Sequence, residues 1–178
     1  SNFIGKPING YNENVAIFTK SATVALAKVE KDLNSKNLGL KIFDAYRPQS
    51  AVNHFKAWAL AINDTLNKSK YYPSVDKKNL FKDGYIASKS GHSRGSTIDL
   101  TIIDLHTKKE LDMGTIFDFL GSQSAHSYNQ LSAKQKENRA LLKTIMEKHG
   151  FKPYAKEWWH YTFINEPYKK TYFNFPVQ

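Results

Sequence analysis

Apolar positions recur along the chain with two periods, and the switches between them outline the fold. From Thr19 to about Asn37, Ala22, Ala25, Val29 and Leu33 fall at helical spacing, with lysines on the other face. Thr19 or Ser21 is placed to cap this helix, and Gly39 follows its C-terminal end. Leu40–Tyr46 then reads as a buried strand. Pro48 opens a second helix, predicted over Gln49 to about Asn67 with Val52, Phe55, Ala59 and Ile62 inward. Residues 68–91 contain Pro73, Gly84 and Gly91 and read mostly as loop, with one helical turn near Lys77–Phe81.

Thr97–Asp104 alternates as a strand does. A turn at His106-Thr-Lys108 leads to a short return near Glu110-Leu111. Asp112–Asn129 has no clear period and reads as a long functional loop. Ser132 and Gln135 have the spacing of a capping box, which predicts a helix to about His149 that stops at Gly150. Short strands near Phe151–Tyr154 and Trp158–Ile164 complete the set. Helices and strands come in mixed order without βαβ alternation. The pattern therefore predicts an α+β fold, with a small, mainly antiparallel sheet flanked by about three main helices. No linker or repeat interrupts the chain, so residues 1–178 are read as one domain. A domain of this size buries roughly 70% of its unfolded surface.

Composition narrows the chemistry. Cysteine is absent, so a transition metal must be held by His, Asp or Glu. No apolar run approaches the roughly 18 residues of a membrane span. The formal net charge is +10, yet the lysines are spread along the chain without a basic block. They read as a solvated surface and not as a nucleic-acid site. Basic residues are 23 Lys against three Arg, namely Arg47, Arg94 and Arg139. In a chain that otherwise chooses lysine, an arginine points to a need for a planar, permanently charged fork.

Two stretches carry candidate chemistry: Ser90-Gly-His-Ser-Arg-Gly-Ser-Thr-Ile-Asp99 and Glu157-Trp-Trp-His160. His92 precedes a strand that holds Asp99, and Gly91 and Gly95 let the intervening loop fold back. Alone, such a pair more often meets separate hydrogen-bond partners. Alone, Glu157 would be a surface acid beside an aromatic core strand. Together they supply two imidazoles and a carboxylate for one metal, and a free carboxylate to act as base. A three-ligand site of N and O donors leaves a position for water, the kit of a hydrolase. One obstacle is that residues three apart point to opposite faces of a regular strand. Glu157 and His160 converge only if the chain turns at Glu157 before the strand begins. Arg47 follows a strand end and precedes Pro48, a rigid mount for a guanidinium that stabilises an oxyanion; a capping or surface arginine is the competing reading.

Several segments resemble the VanX-type D-alanyl-D-alanine dipeptidases, zinc peptidases associated with vancomycin resistance. They are Asn2–Tyr11, Asp44–Pro48, Ala87–Thr101, Met113–Phe119, Glu157–Tyr161 and Tyr172–Pro176, and the likeness runs from Asn2 to the C-terminus. The resemblance implies one Zn²⁺ on His92, Asp99 and His160, Glu157 as general base and Arg47 as oxyanion stabiliser. It further implies that Ser90, Asp118 and Tyr11 hold the substrate termini, Asp118 the ammonium and the two hydroxyls the carboxylate. The implied reaction is hydrolysis of the D-Ala-D-Ala dipeptide, a small-molecule substrate. Two features depart from the family: nothing before Asn2 matches its N-terminal, tyrosine-bearing segment, and Thr97 stands where Ala is usual. A zinc D,D-carboxypeptidase with a more open cleft is the nearest alternative. A silent module binding anionic wall polymer or nucleic acid through its lysines is a third reading, against which Glu157 argues. An enzyme removing free dipeptide before wall synthesis belongs in the cytoplasm, and one scavenging released dipeptide in the periplasm. The first residue, Ser1, leaves both compartments open, and the oligomeric state is open too.

Overall fold

The computed structural model describes residues 2–178. Its centre is strand β2 (Thr97–Asp104), in which residues 97–102 are all buried. Strand β1 (Leu38–Asp44) pairs antiparallel with one edge of β2, and strand β4 (Glu157–Phe163) with the other. Strand β3 (Phe151–Tyr154) adds to β4, giving the order β1-β2-β4-β3 in a four-stranded antiparallel sheet. The alternation of β2 explains its double burial. Ile98, Leu100 and Ile102 face helices α1 (Lys20–Asn34) and α4 (Ala133–Lys148), meeting Val29, Leu33, Leu142 and Met146 in the main core. Thr97, Asp99 and Thr101 are buried on the opposite face. A strand that buries polar side chains on one whole face is building something other than core.

A second core gathers around helix α2 (Gln49–Leu60), where Trp58 and Ala59 pack with Phe3, Ile4, Tyr72, Leu80 and Ile86. A single-turn helix α3 (Lys68–Tyr71) lies at its edge. The expected α+β class, antiparallel sheet and three main helices (α1, α2, α4) are all present. The capping box of α4 is formed as expected: Ser132 Oγ accepts from Gln135 N–H and Gln135 Oε1 accepts from Ser132 N–H.

Several boundaries differ from the periodicity, each for a local reason. Helix α1 ends at Asn34, and Asn37 (φ 57°) makes the left-handed turn expected near Gly39. Gly39 instead lies inside β1, where an added Cβ would stand 2.8 Å from the Leu105 side chain. Strand β1 is not buried throughout: as the sheet edge it leaves Lys41 and Ile42 exposed. Helix α2 stops at Leu60, so Ile62 is outside it and 50% exposed. Lys77 terminates it, donating from Nζ to the Ala61 and Asp64 carbonyls while lying over the Trp58 ring.

Candidate active site

His92 enters the site from a 3-10 turn, Gly91–Arg94, that Ser90 caps by accepting from His92 N–H. Gly95 closes the turn with φ 76°, a left-handed conformation that suits glycine. His92 is fully buried, and its Nδ1 lies 2.6 Å from the Ala45 carbonyl. A carbonyl only accepts, so Nδ1 carries the proton and Nε2 offers a lone pair. That Nε2 lies 3.2 Å from Asp99 Oδ2 and 3.3 Å from His160 Nδ1.

Asp99 and His160 are directly opposite each other in the β2–β4 register, so they share a face. His160 Nδ1 stands 3.0 Å from Asp99 Oδ1, yet that buried oxygen accepts no hydrogen bond. Burial pushes the Asp99 carboxyl up, but the two imidazoles outweigh it and hold the group well below the usual carboxylate range. Burial likewise works against a charged His160, and its contacts with Asp99 leave it raised.

Glu157 reaches the same point by a route that strand periodicity does not reveal. It is the first residue of β4, directly after the two-residue turn Ala155-Lys156, so the chain turns before Glu157 and the strand already includes it. Between the pairs Pro153↔Tyr161 and Tyr154↔Glu157, β4 advances four residues while β3 advances one. This irregularity reverses the alternation and brings Glu157 Oε2 within 3.5 Å of His160 Nδ1. Burial raises the Glu157 carboxyl to about 7, with Asp99 adding to the rise and His160 and Arg47 opposing it.

Arg47 donates from Nε to Asp44 Oδ2 at 2.8 Å and from Nη2 to Asp99 Oδ2 at 3.3 Å, with its guanidinium 5.1 Å from the centre of the Phe55 ring. Against the cost of burial, Asp44 heads the anions that raise its pKa further. Arg47 also lines the cleft, within reach of a ligand bound there. Tyr11 donates its one hydroxyl proton to the Asp44 carboxylate (2.8 and 2.9 Å), which leaves none for a substrate carboxylate. Ser90, by contrast, accepts from His92 and keeps its own O–H free. Asp118, at φ 62°, lines the cleft. Burial, and then the charge of Asp99, push its carboxyl well above the usual range.

Seven of the eight residues singled out in the sequence line one cavity of about 550 Å³, whose apolar walls include Phe43, Phe55, Phe117 and Trp159, and the fully buried His92 lies behind Asp99 and His160. Sequence reasoning passed over Asp44, which anchors both Tyr11 and Arg47; its position three residues before a rare arginine was the available signal. The Ala45 carbonyl carried no signal, because a backbone acceptor is set by the chain path alone.

The donor set fits a metal ion. The ligand atoms of His92, Asp99 and His160 lie within 4.8 Å of one another. Tetrahedral donors about 2.0–2.1 Å from zinc stand about 3.3 Å apart, close to the spacings here. The unpartnered Asp99 Oδ1 and the tautomer fixed at His92 suit a cation as well.

Comparison with known proteins agrees with this arrangement. Residues 1–178 match the Peptidase_M15 family, described as D-ala-D-ala dipeptidase. A D-alanyl-D-alanine dipeptidase of Enterococcus faecalis is 46% identical over 176 residues, covering 99% of this chain and 87% of that protein. One from Enterococcus faecium is 44% identical (99% and 88% covered), and one from Streptomyces coelicolor 40% identical (99% and 87%). Among solved structures, a mutant of the vancomycin-resistance D,D-pentapeptidase VanY, from a VanB-type cassette and in complex with Zn(II), superposes with a TM-score of 0.51. It covers 87% of this chain and 77% of its own at 12% identity, a likeness of fold alone.

Proposed function

The chain belongs to the Peptidase_M15 D-ala-D-ala dipeptidase family, and from that premise we propose that it hydrolyses the D-alanyl-D-alanine dipeptide to two D-alanines with one zinc ion. The observation that carries the reading is the convergence of three metal-type donor atoms with a carboxylate that none of them needs, 3.5 Å from the nearest. A purely structural metal site has no use for such a base.

His92 Nε2, Asp99 and His160 Nδ1 would hold the ion. Bound there, zinc supplies a Lewis acid and a water of lowered pKa. Glu157 takes the proton of the attacking water and returns it to the leaving amine. Its raised pKa suits both halves of that exchange near neutral pH. Arg47 donates to the oxygen that gains negative charge, and Asp44 holds the guanidinium in place.

The substrate's two charged ends explain the remaining polar groups. Asp118, a carboxyl with no cation within salt-bridge distance among the described residues, accepts the substrate ammonium; Ser90 donates to the carboxylate, and Tyr11 acts at one remove through Asp44. Reading both ends at once favours a dipeptide over a longer peptide. The 40–46% identity to dipeptidases points the same way. We place the activity in the cytoplasm, where free dipeptide is consumed in wall synthesis, with the periplasm as the alternative. The test is D-alanine release from D-Ala-D-Ala and from a pentapeptide ending in D-Ala-D-Ala, with and without a chelator. Chelator-sensitive cleavage of the dipeptide alone is expected. Preferential cleavage of the pentapeptide would make the chain a D,D-carboxypeptidase instead.

A further inference from the structure

The segment from Met113 to Ala125 has one short 3-10 turn, Ser122–Ser124, and is otherwise irregular, yet it supplies Phe117, Asp118 and Leu120 to the cleft wall. Gly114 and Asp118 take positive φ values (83° and 62°), so the path depends on more than local preference. Its base is tied by Asn138 Nδ2 to the Asp112 carbonyl and by Trp158 Nε1 to Thr115 Oγ1, each at 2.8 Å. One side chain joins its two limbs. Arg139 of α4, 5% exposed, donates from Nε to the Met113 carbonyl at 2.7 Å. Nη2 reaches the Gln123 carbonyl at 2.8 Å and Nη1 the Ala125 carbonyl at 3.0 Å.

We propose that Arg139 is a positioning residue for substrate recognition: by joining three carbonyls across the two limbs of this loop it fixes Asp118 where a dipeptide ammonium must sit. The inference rests on the reading of Asp118 given above. It accounts for the one arginine of three that lies outside every segment carrying the family resemblance. Among the described residues no carboxylate pairs with Arg139; its partners are neutral carbonyls, for which charge alone would not require an arginine. A lysine places its donors at one point and cannot span three acceptors, whereas the guanidinium fork can. Arg139 itself does not line the cleft, so its effect on turnover passes through the loop.

The test is a double-mutant cycle on zinc-loaded protein, with Arg139→Lys, Asp118→Asn and the combination assayed on D-Ala-D-Ala. Arg139→Lys is expected to raise KM about tenfold while kcat stays within about threefold, because the lost interaction orients the substrate and leaves the metal and base untouched. In the Asp118→Asn background the same substitution is expected to add little. If Asp118→Asn raises KM and Arg139→Lys does not, or if the two effects multiply in full, the positioning role is overturned. If Asp118→Asn leaves KM unchanged, the reading of Asp118 falls and the positioning role with it. Arg139→Gln, which keeps one amide donor, takes the place of the lysine variant if that protein does not fold.

Discussion

Glu157 stands 3.5 Å from His160 of the candidate metal cluster and lines the cleft largely buried, and both suit a base. Glu157→Gln preserves the shape of the side chain and removes the proton acceptor. Zinc content by elemental analysis should stay near one per chain while kcat drops by about 10²–10⁴. His160→Ala should instead lose the zinc, because it removes one of three donors; stoichiometric metal in that variant would contradict the ligand set. A second residue governs pH stability from outside the cleft. Burial, and then Lys143 and Arg139, push His126 down to about 4, and its Nε2 has no hydrogen-bond partner. An unfolded histidine titrates near 6.5. Between about 6.5 and 4 the unfolded chain therefore takes up a proton that the folded chain refuses, and stability falls as the pH falls through that window. His126→Gln should flatten the profile, as measured by chemical denaturation at pH 7 and pH 5.

At the scale of elements, the capping box of α4 was fully legible because it depends on two side chains at fixed spacing. Ser132→Ala removes the acceptor for Gln135 N–H. It should cost about 1 kcal/mol, or about 2–4 °C in Tm for a domain of this size, with activity unchanged. Strand β2 was legible end to end, since alternation is the signal and both of its faces are used. Strand β4 was legible as a strand and misleading as a scaffold. Strict period two puts Glu157 and His160 on opposite faces, and the irregular pairing against Tyr154 undoes this. The extra residues lie in β4 itself, between Glu157 and Tyr161, and the order of residue types there does not mark them as a bulge. The early end of α2 was hidden for another reason: Lys77, sixteen residues after Ala61, supplies the donor that finishes the helix. The cluster of His92, Asp99 and His160 was readable because residue type and spacing suggest it. The loop that carries Asp118 was not, because Arg139 holds it from a helix elsewhere in the chain.

Taken as a whole, the molecule places its cleft where two cores meet. Phe43, Phe117 and Trp159 reach it from the sheet side, and Val52, Phe55 and Ile86 from the α2 side. Two of the candidate ligands come from neighbouring strands and the third from the turn that leads into β2. A metal bound there ties that turn to the sheet and relieves the crowding of Asp99 between two imidazoles. Zinc held at about 1,000 times its Kd adds about 4 kcal/mol to stability. Chelation should therefore lower Tm by roughly 10 °C, as read by differential scanning calorimetry, with recovery on adding zinc back. An unchanged Tm would mean that the ion does not bind to the folded state at this cluster. No helix among the described residues is long and apolar enough to cross a membrane.

The 2.6 Å contact between His92 Nδ1 and the Ala45 carbonyl has a thermodynamic corollary. Ala45 lies two residues before Arg47 on the same short stretch of chain, so one ligand and the anion-binding arm share a mount. Filling either position restrains the other, and linkage makes that restraint mutual. A phosphinate mimic of the reacting amide should tighten zinc retention in a competition dialysis by the same factor by which zinc tightens the mimic.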